Sequence, residues 1–198
     1  MALITTIIPK QNFELVNERI GAILKLELEE QKTLQAFAEP VNVFSERLDP
    51  FDKSEEVMVN VFFDSANSFD NTQKTSQGNV SFFIDIYSTG KTSTGLDGGL
   101  DSANRLHKFL GMASYILRDS QYRTLGFVSG SIGGVYVESI QVANIEQQDA
   151  AYDTMGRISF SVKLKETGIL ETGELMAQHL TGVKLDTTNL GYKYEKII

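Results

Sequence analysis

Ser88-Thr89-Gly90-Lys91-Thr92 is the stretch whose residue types come nearest to chemistry, because Gly-Lys-Thr after a strand is how a phosphate-binding loop ends. Such a loop needs a second glycine upstream, so that backbone amides can wrap a phosphate, and Asp85 occupies that position. The residues that follow, Ser93-Thr94-Gly95-Leu96-Asp97-Gly98-Gly99, are too glycine-rich to launch a helix at once. The stretch therefore reads as a flexible strand-to-helix loop, with a small nucleotide-binding module as the rival reading.

Other reactive side chains are scattered. His107 stands beside Lys108 without a carboxylate or serine at a catalytic spacing, and His179 lies far along the chain, so the two make no metal signature. Cysteine is absent, which removes disulfides and thiolate nucleophiles. The pairs Glu29-Glu30, Glu55-Glu56 and Asp49/Asp52 do not follow the ligand spacing of a calcium loop and read as solvated charge. The expectation is no catalytic residue, no cofactor site and no metal site. Arg118, Arg123 and Arg157 interrupt apolar or turn-rich segments, where a planar guanidinium can pair with carboxylates of the same chain or of a neighbouring one. With Tyr192 and Tyr194 near the end of the chain they form the candidate interface set.

The 198 residues suit one domain, or one domain with an arm. A net charge of −8 argues against a surface that grips phosphate backbones. No run is long and apolar enough for a membrane span, and the N-terminal residues lack the pattern of a signal peptide, so a cytosolic chain without membrane contact is expected.

Phe13, Val16, Ile20, Ile23 and Leu24 recur at helical spacing, predicting a helix over 12–35 with Asn12 as its cap. Gly21 inside it implies either a closely packed neighbour or a tolerated surface glycine. A short strand is expected over 41–47, then a turn at Asp49-Pro50-Phe51-Asp52-Lys53-Ser54. Val57, Val59, Val61 and Phe63 alternate with Met58, Asn60 and Phe62, while Val80, Phe82, Ile84 and Ile86 alternate with Ser81, Phe83, Asp85 and Tyr87: two strands, each with one apolar face. Between them, 64–78 is polar and reads as a long hairpin loop that either meets a partner or is disordered.

Ala103, Leu106, Leu110, Ala113 and Leu117 predict a second helix over 101–119 capped by Asp101. Strands are expected over 134–142 and 154–165, the latter alternating Ile158, Phe160, Val162 and Leu164 with Ser159, Ser161, Lys163 and Lys165. The sum is an α+β fold: a mainly antiparallel sheet with two helices on one face over 1–166, and a C-terminal arm over 167–198.

The order of a strand ending in Asp85-Ile86-Tyr87, a glycine-rich loop and the helix from Ser102-Ala103-Asn104-Arg105-Leu106 to Tyr115-Ile116-Leu117-Arg118 carries a resemblance. It continues through Tyr122-Arg123-Thr124-Leu125-Gly126, Gln148-Asp149-Ala150, Met155-Gly156-Arg157 and a last alternating strand. It resembles the tail terminator (tail completion, neck) proteins of tailed bacteriophages over residues 85–166, and elsewhere in element order only. The resemblance implies a structural virion protein made in the host bacterial cytoplasm. Its copies would form a ring, expected to be a hexamer, that caps the tail tube, stops tube growth and joins the tail to the head connector. Partners would be further copies of the chain, the tail tube protein, connector or neck proteins and, in a contractile tail, the sheath. DNA would pass through an acidic lumen without being held. Another neck, connector-adaptor or tail tube protein is the alternative within the same class. The arm and the 64–78 segment are expected to meet a neighbouring chain or a partner.

Overall fold

The computed structural model describes residues 5, 7, 10–49, 55–72, 75–90, 97–128, 130–144, 152–165, 178–184 and 191–197. Residues 50–54 of the expected turn, the loop containing Lys91 and Thr92, Gln148-Asp149-Ala150, and residues 167–177, 185–190 and 198 of the arm lie outside them.

Helix α1 spans Asn12–Gln35. Its cap is Gln11 and not Asn12, because the Glu14 carboxylate reaches back to accept the Gln11 amide at 2.6 Å. Val16, Ile20, Ile23, Leu24 and Leu28 form its buried stripe, and Ala36 ends it in the left-handed conformation at φ 51°. A side chain at Gly21 would place its first carbon 2.7 Å from Ser45 Oγ, so the glycine is there because a strand packs directly on the helix.

Helix α2 spans Gly98–Arg118 and begins a turn earlier than expected. Asp97 caps it by accepting the Gly99 amide at 3.0 Å, while Asp101 sits in the first turn and pairs with Arg105 at 3.1 Å. Leu106, Phe109, Leu110, Ala113, Ile116 and Leu117 are its buried stripe.

Five strands form one sheet: β1 (Asn42–Ser45), β2 (Val57–Thr72), β3 (Thr75–Gly90), β4 (Ile132–Asn144) and β5 (Tyr152–Lys165), in the order β1-β2-β3-β5-β4. All neighbours are antiparallel except β1, which runs parallel to β2. The fold is α+β and the sheet is mainly antiparallel, as expected, with β1 as its one parallel strand among the described residues. Alternation in a short strand carries no information about direction; the crossover that makes β1 parallel is held tertiarily. Asn60, on the helix-free face of β2 and 1% exposed, accepts the Arg47 amide at 3.1 Å and donates to the Arg47 carbonyl at 2.7 Å. These bonds lay the start of the β1–β2 connection across the sheet and explain an amide inside an apolar strand.

Both helices cover one face. There Val57, Val59, Val61, Val80, Phe82, Ile84, Ile86, Ile158, Phe160, Val162 and Leu164 join the helical stripes in a single core. Phe82 and Phe160 are direct cross-strand partners whose rings stack at 5.5 Å, and both are fully buried. Each contributes roughly 1.5–3 kcal/mol of burial.

Residues 64–78 are not a long loop. They continue β2 and β3 as a ladder down to Thr72 opposite Thr75, with irregularities at Phe63/Ser65 and Ser68/Asp70. Among the described residues β5 borders β3 as far as Lys165 opposite Gln77, and the rungs beyond it, Asn71 opposite Ser76 and Thr72 opposite Thr75, form a two-stranded ribbon. A ribbon without a third strand or a helix beside it needs no apolar face, and a polar sequence there hides strand pairing that backbone hydrogen bonds supply.

The arm also contains structure. Strands β6 (Gln178–Lys184) and β7 (Gly191–Ile197) pair antiparallel as a separate two-stranded sheet.

Candidate assembly surface

Strand β4 is one border of the main sheet. Its inner side pairs with β5, and among the described residues no strand pairs with its outer side. It is 13 residues long and contains no Lys, Arg or Pro, the residues that usually blunt such an edge; Glu138 is its one charge. Tyr136 is 52% exposed, Ile140 44% and Val142 50%, which puts large apolar side chains along this border. Two register shifts, at Ile132/Gly134 and Val137/Ser139, bend the strand. Gly134 adopts φ +136°, a conformation that favours glycine, and the Tyr136 hydroxyl donates to the Gly133 carbonyl at 3.2 Å across that bend.

One strand inward, on the helix-free face, Arg157 of β5 stands opposite Asp85 of β3. The guanidinium donates from Nε and Nη2 to the two Asp85 oxygens, both at 2.7 Å, and lies 4.5 Å over the Phe83 ring. Asp85 is 2% exposed while the Arg157 side chain is 40% exposed. The hydrogen bond to Asp85 raises the Arg157 pKa. Tyr87, two residues from Asp85 along β3, has its pKa raised by burial first and by the Asp85 charge second.

The sequence-derived set is thus dispersed. Arg157 is engaged within its own chain, the first of the two readings left open above. Arg118 is the exposed last residue of α2 and lines a shallow depression with Gly111, Ser114, Tyr115, Asp119 and Ser120. Arg123 is exposed and follows a 3₁₀ turn over Ser120–Tyr122, its amide donating to the Ser120 carbonyl at 3.3 Å. Tyr192 and Tyr194 lie in β7, opposite Val183 and Thr181 of β6. The β4 border was not singled out in the sequence, although its lack of Lys, Arg and Pro was a usable signal.

A groove of about 320 Å³ runs between the helices, lined among others by Glu27, Gln31, Met112, Tyr115, Ile116 and Tyr122, with the Tyr122 hydroxyl donating to the Glu27 carboxylate. His107 is exposed on α2. Gly90, the glycine of the Gly-Lys-Thr stretch, lies against the start of α2: an added side-chain carbon would sit 1.8 Å from the Gly98 carbonyl oxygen. Ser102 donates to the Ser88 carbonyl at 2.8 Å and Arg105 to the Thr89 carbonyl at 2.6 Å, so the end of β3 is bolted to the helix. Among the described residues no group of three or more His, Cys, Asp or Glu is placed to hold a metal ion, and no helix is long and apolar enough to cross a membrane.

The β4 border is thus a backbone edge flanked by apolar side chains, the kind of surface to which a further strand can add. In comparisons with known proteins, no family model and no curated protein matches the chain.

Proposed function

We propose that this chain is a structural assembly subunit that acts as the tail terminator of a tailed bacteriophage. Its copies close into a ring, taken as a hexamer, on the head-proximal end of the tail tube. There they stop tube growth and present a surface to the connector. The observation that carries the assembly role is the long, unblunted β4 edge with exposed Tyr136, Ile140 and Val142. Such an edge is an association site in waiting. An edge that meets a different surface on the next copy makes a head-to-tail contact, and head-to-tail contacts generate rings when the rotation closes.

The phage assignment rests on the resemblance over residues 85–166, with which an α+β chain carrying two helices on one face of the sheet accords. The net charge of −8 suits a lumen through which DNA slides. On this reading the chain is not an enzyme, it works in the virion after assembly in the host cytoplasm, and its partners are the tube and neck proteins.

Mass measurement of the purified protein, with electron micrographs in the presence and absence of tail tubes, tests this. Discrete rings that seat on tube ends and halt elongation are expected. Long tubes of the protein itself would identify a tube subunit instead. A strict monomer that ignores tail tubes would overturn the proposal.

A further inference from the structure

Within the ring reading, on which this inference rests, the free β4 edge needs an occupant. We infer that the occupant is the C-terminal hairpin, β6 and β7, of the adjacent copy, which adds a strand to the five-stranded sheet.

Three observations converge on that segment. The first is stability: β6 and β7 pair with each other and, among the described residues, with no other strand. An isolated two-stranded hairpin is at best marginally stable in water, so this one needs a sheet to join. The second is charge. The two strands carry Lys184, Lys193 and Lys196 against Glu195, a cationic excess in a chain of net charge −8, while the one charge on β4 is Glu138. Attraction across the seam favours this pairing over β4 against β4, which would set Glu138 near its own copy. The third is reach. Strand β5 is described to Lys165, beside the beginning of β4, with Ile132 opposite Leu164. Residues 166–177 then span up to roughly 40 Å when extended, enough to cross to a neighbouring subunit.

Strand addition of this kind draws affinity from main-chain hydrogen bonds and specificity from alternate side chains. Edge and hairpin are two different surfaces of one chain, so each copy donates to one neighbour and accepts from the other. That is the geometry a closed ring requires.

Because the chain has no cysteine, introduced pairs report cleanly. Single variants of the full chain, Tyr136→Cys, Glu138→Cys, Ile140→Cys or Val142→Cys, are each mixed with Tyr192→Cys, Lys193→Cys or Tyr194→Cys and oxidised. Paired strands bring opposed Cα atoms to about 4.5–5.5 Å, within disulfide range. The expected result is a two-chain product for at least one combination, and a ladder up to the closed ring when both cysteines share one chain. Leu48→Cys, at a site 90% exposed and away from β4, should give no product with the same partners. Rings that form in the micrographs without any edge-to-hairpin link would overturn this inference and leave the ring reading standing. The same is true of links confined to a single chain, or of linkage only between two β4 cysteines. Monomers without any link would sink both.

Discussion

The two borders of the sheet are built on opposite plans. Strand β1 is four residues long, lies against α1 at Gly21, and is followed by Glu46, whose amide donates to the Val61 carbonyl at 2.9 Å. The Glu46 carboxylate then accepts the Asn17 side-chain amide at 2.8 Å and the Phe63 backbone amide at 2.6 Å. That border is finished off by its own chain. Strand β4 is 13 residues long, bears exposed Tyr136, Ile140 and Val142, and has no such closure among the described residues. A sheet with one short, tied border and one long border left open among the described residues offers strand pairing on one side only. Asymmetry of this sort fits the directional assembly proposed above.

The comparison can be broken from the middle outward. Arg157→Met should have the largest effect. It strips the guanidinium from an Asp85 carboxylate that is 2% exposed, one strand from the open border, and should cost about 3 kcal/mol in urea unfolding. Charge-neutral Asp85→Asn combined with Arg157→Met should recover part of that loss, because no unpaired charge is left. If the single variant unfolds at the wild-type midpoint, the ion pair does not anchor this region.

Asn60→Ala attacks the tied border by deleting both hydrogen bonds to Arg47, at a cost of about 2 kcal/mol. Amide exchange should rise first over 42–49. Unchanged protection there would mean that the crossover is held by something other than Asn60.

Alkaline pH gives a smaller effect with a definite sign. Tyr87 has a raised pKa in the folded protein, so the native state holds its proton more tightly than the unfolded chain, whose tyrosines titrate near 10. The stability this provides is complete below about pH 10 and is lost as pH rises through the folded-state value. Tyr87→Phe should flatten the fall of stability above about pH 10 and leave it unchanged near neutrality. A slope identical to wild type would show that Tyr87 is not perturbed.

Ile140→Lys should have the smallest effect on the folded subunit, within about 0.5 kcal/mol, because the side chain is already 44% exposed. Its effect on assembly should be large, since a lysine on an edge strand is a standard block to strand addition and would face a cationic hairpin. Rings of undiminished stability would place the interface elsewhere than β4.

What the amino-acid order determined unaided was every element whose apolar residues repeat against a core. Ile158, Phe160, Val162 and Leu164 fixed the inner face of β5, and Leu106, Leu110, Ala113 and Leu117 the inner face of α2, because burial on one side imposes a period that survives in the letters. Gly21 left two readings open, close packing or a tolerated surface glycine, and the tertiary structure decides for the first, with Ser45 as the neighbour. Four things lay beyond the letters. The extension of β2 and β3 into 64–72 and 75–78 follows no apolar alternation, so polar residues conceal its backbone pairing. The parallel direction of β1, beside which Asn60 bonds Arg47, leaves no mark in four residues, and the partnership of Asp85 with Arg157 joins residues far apart in sequence. The open border of β4 is likewise a product of strand order: only the assembled sheet decides which strand is left without a neighbour.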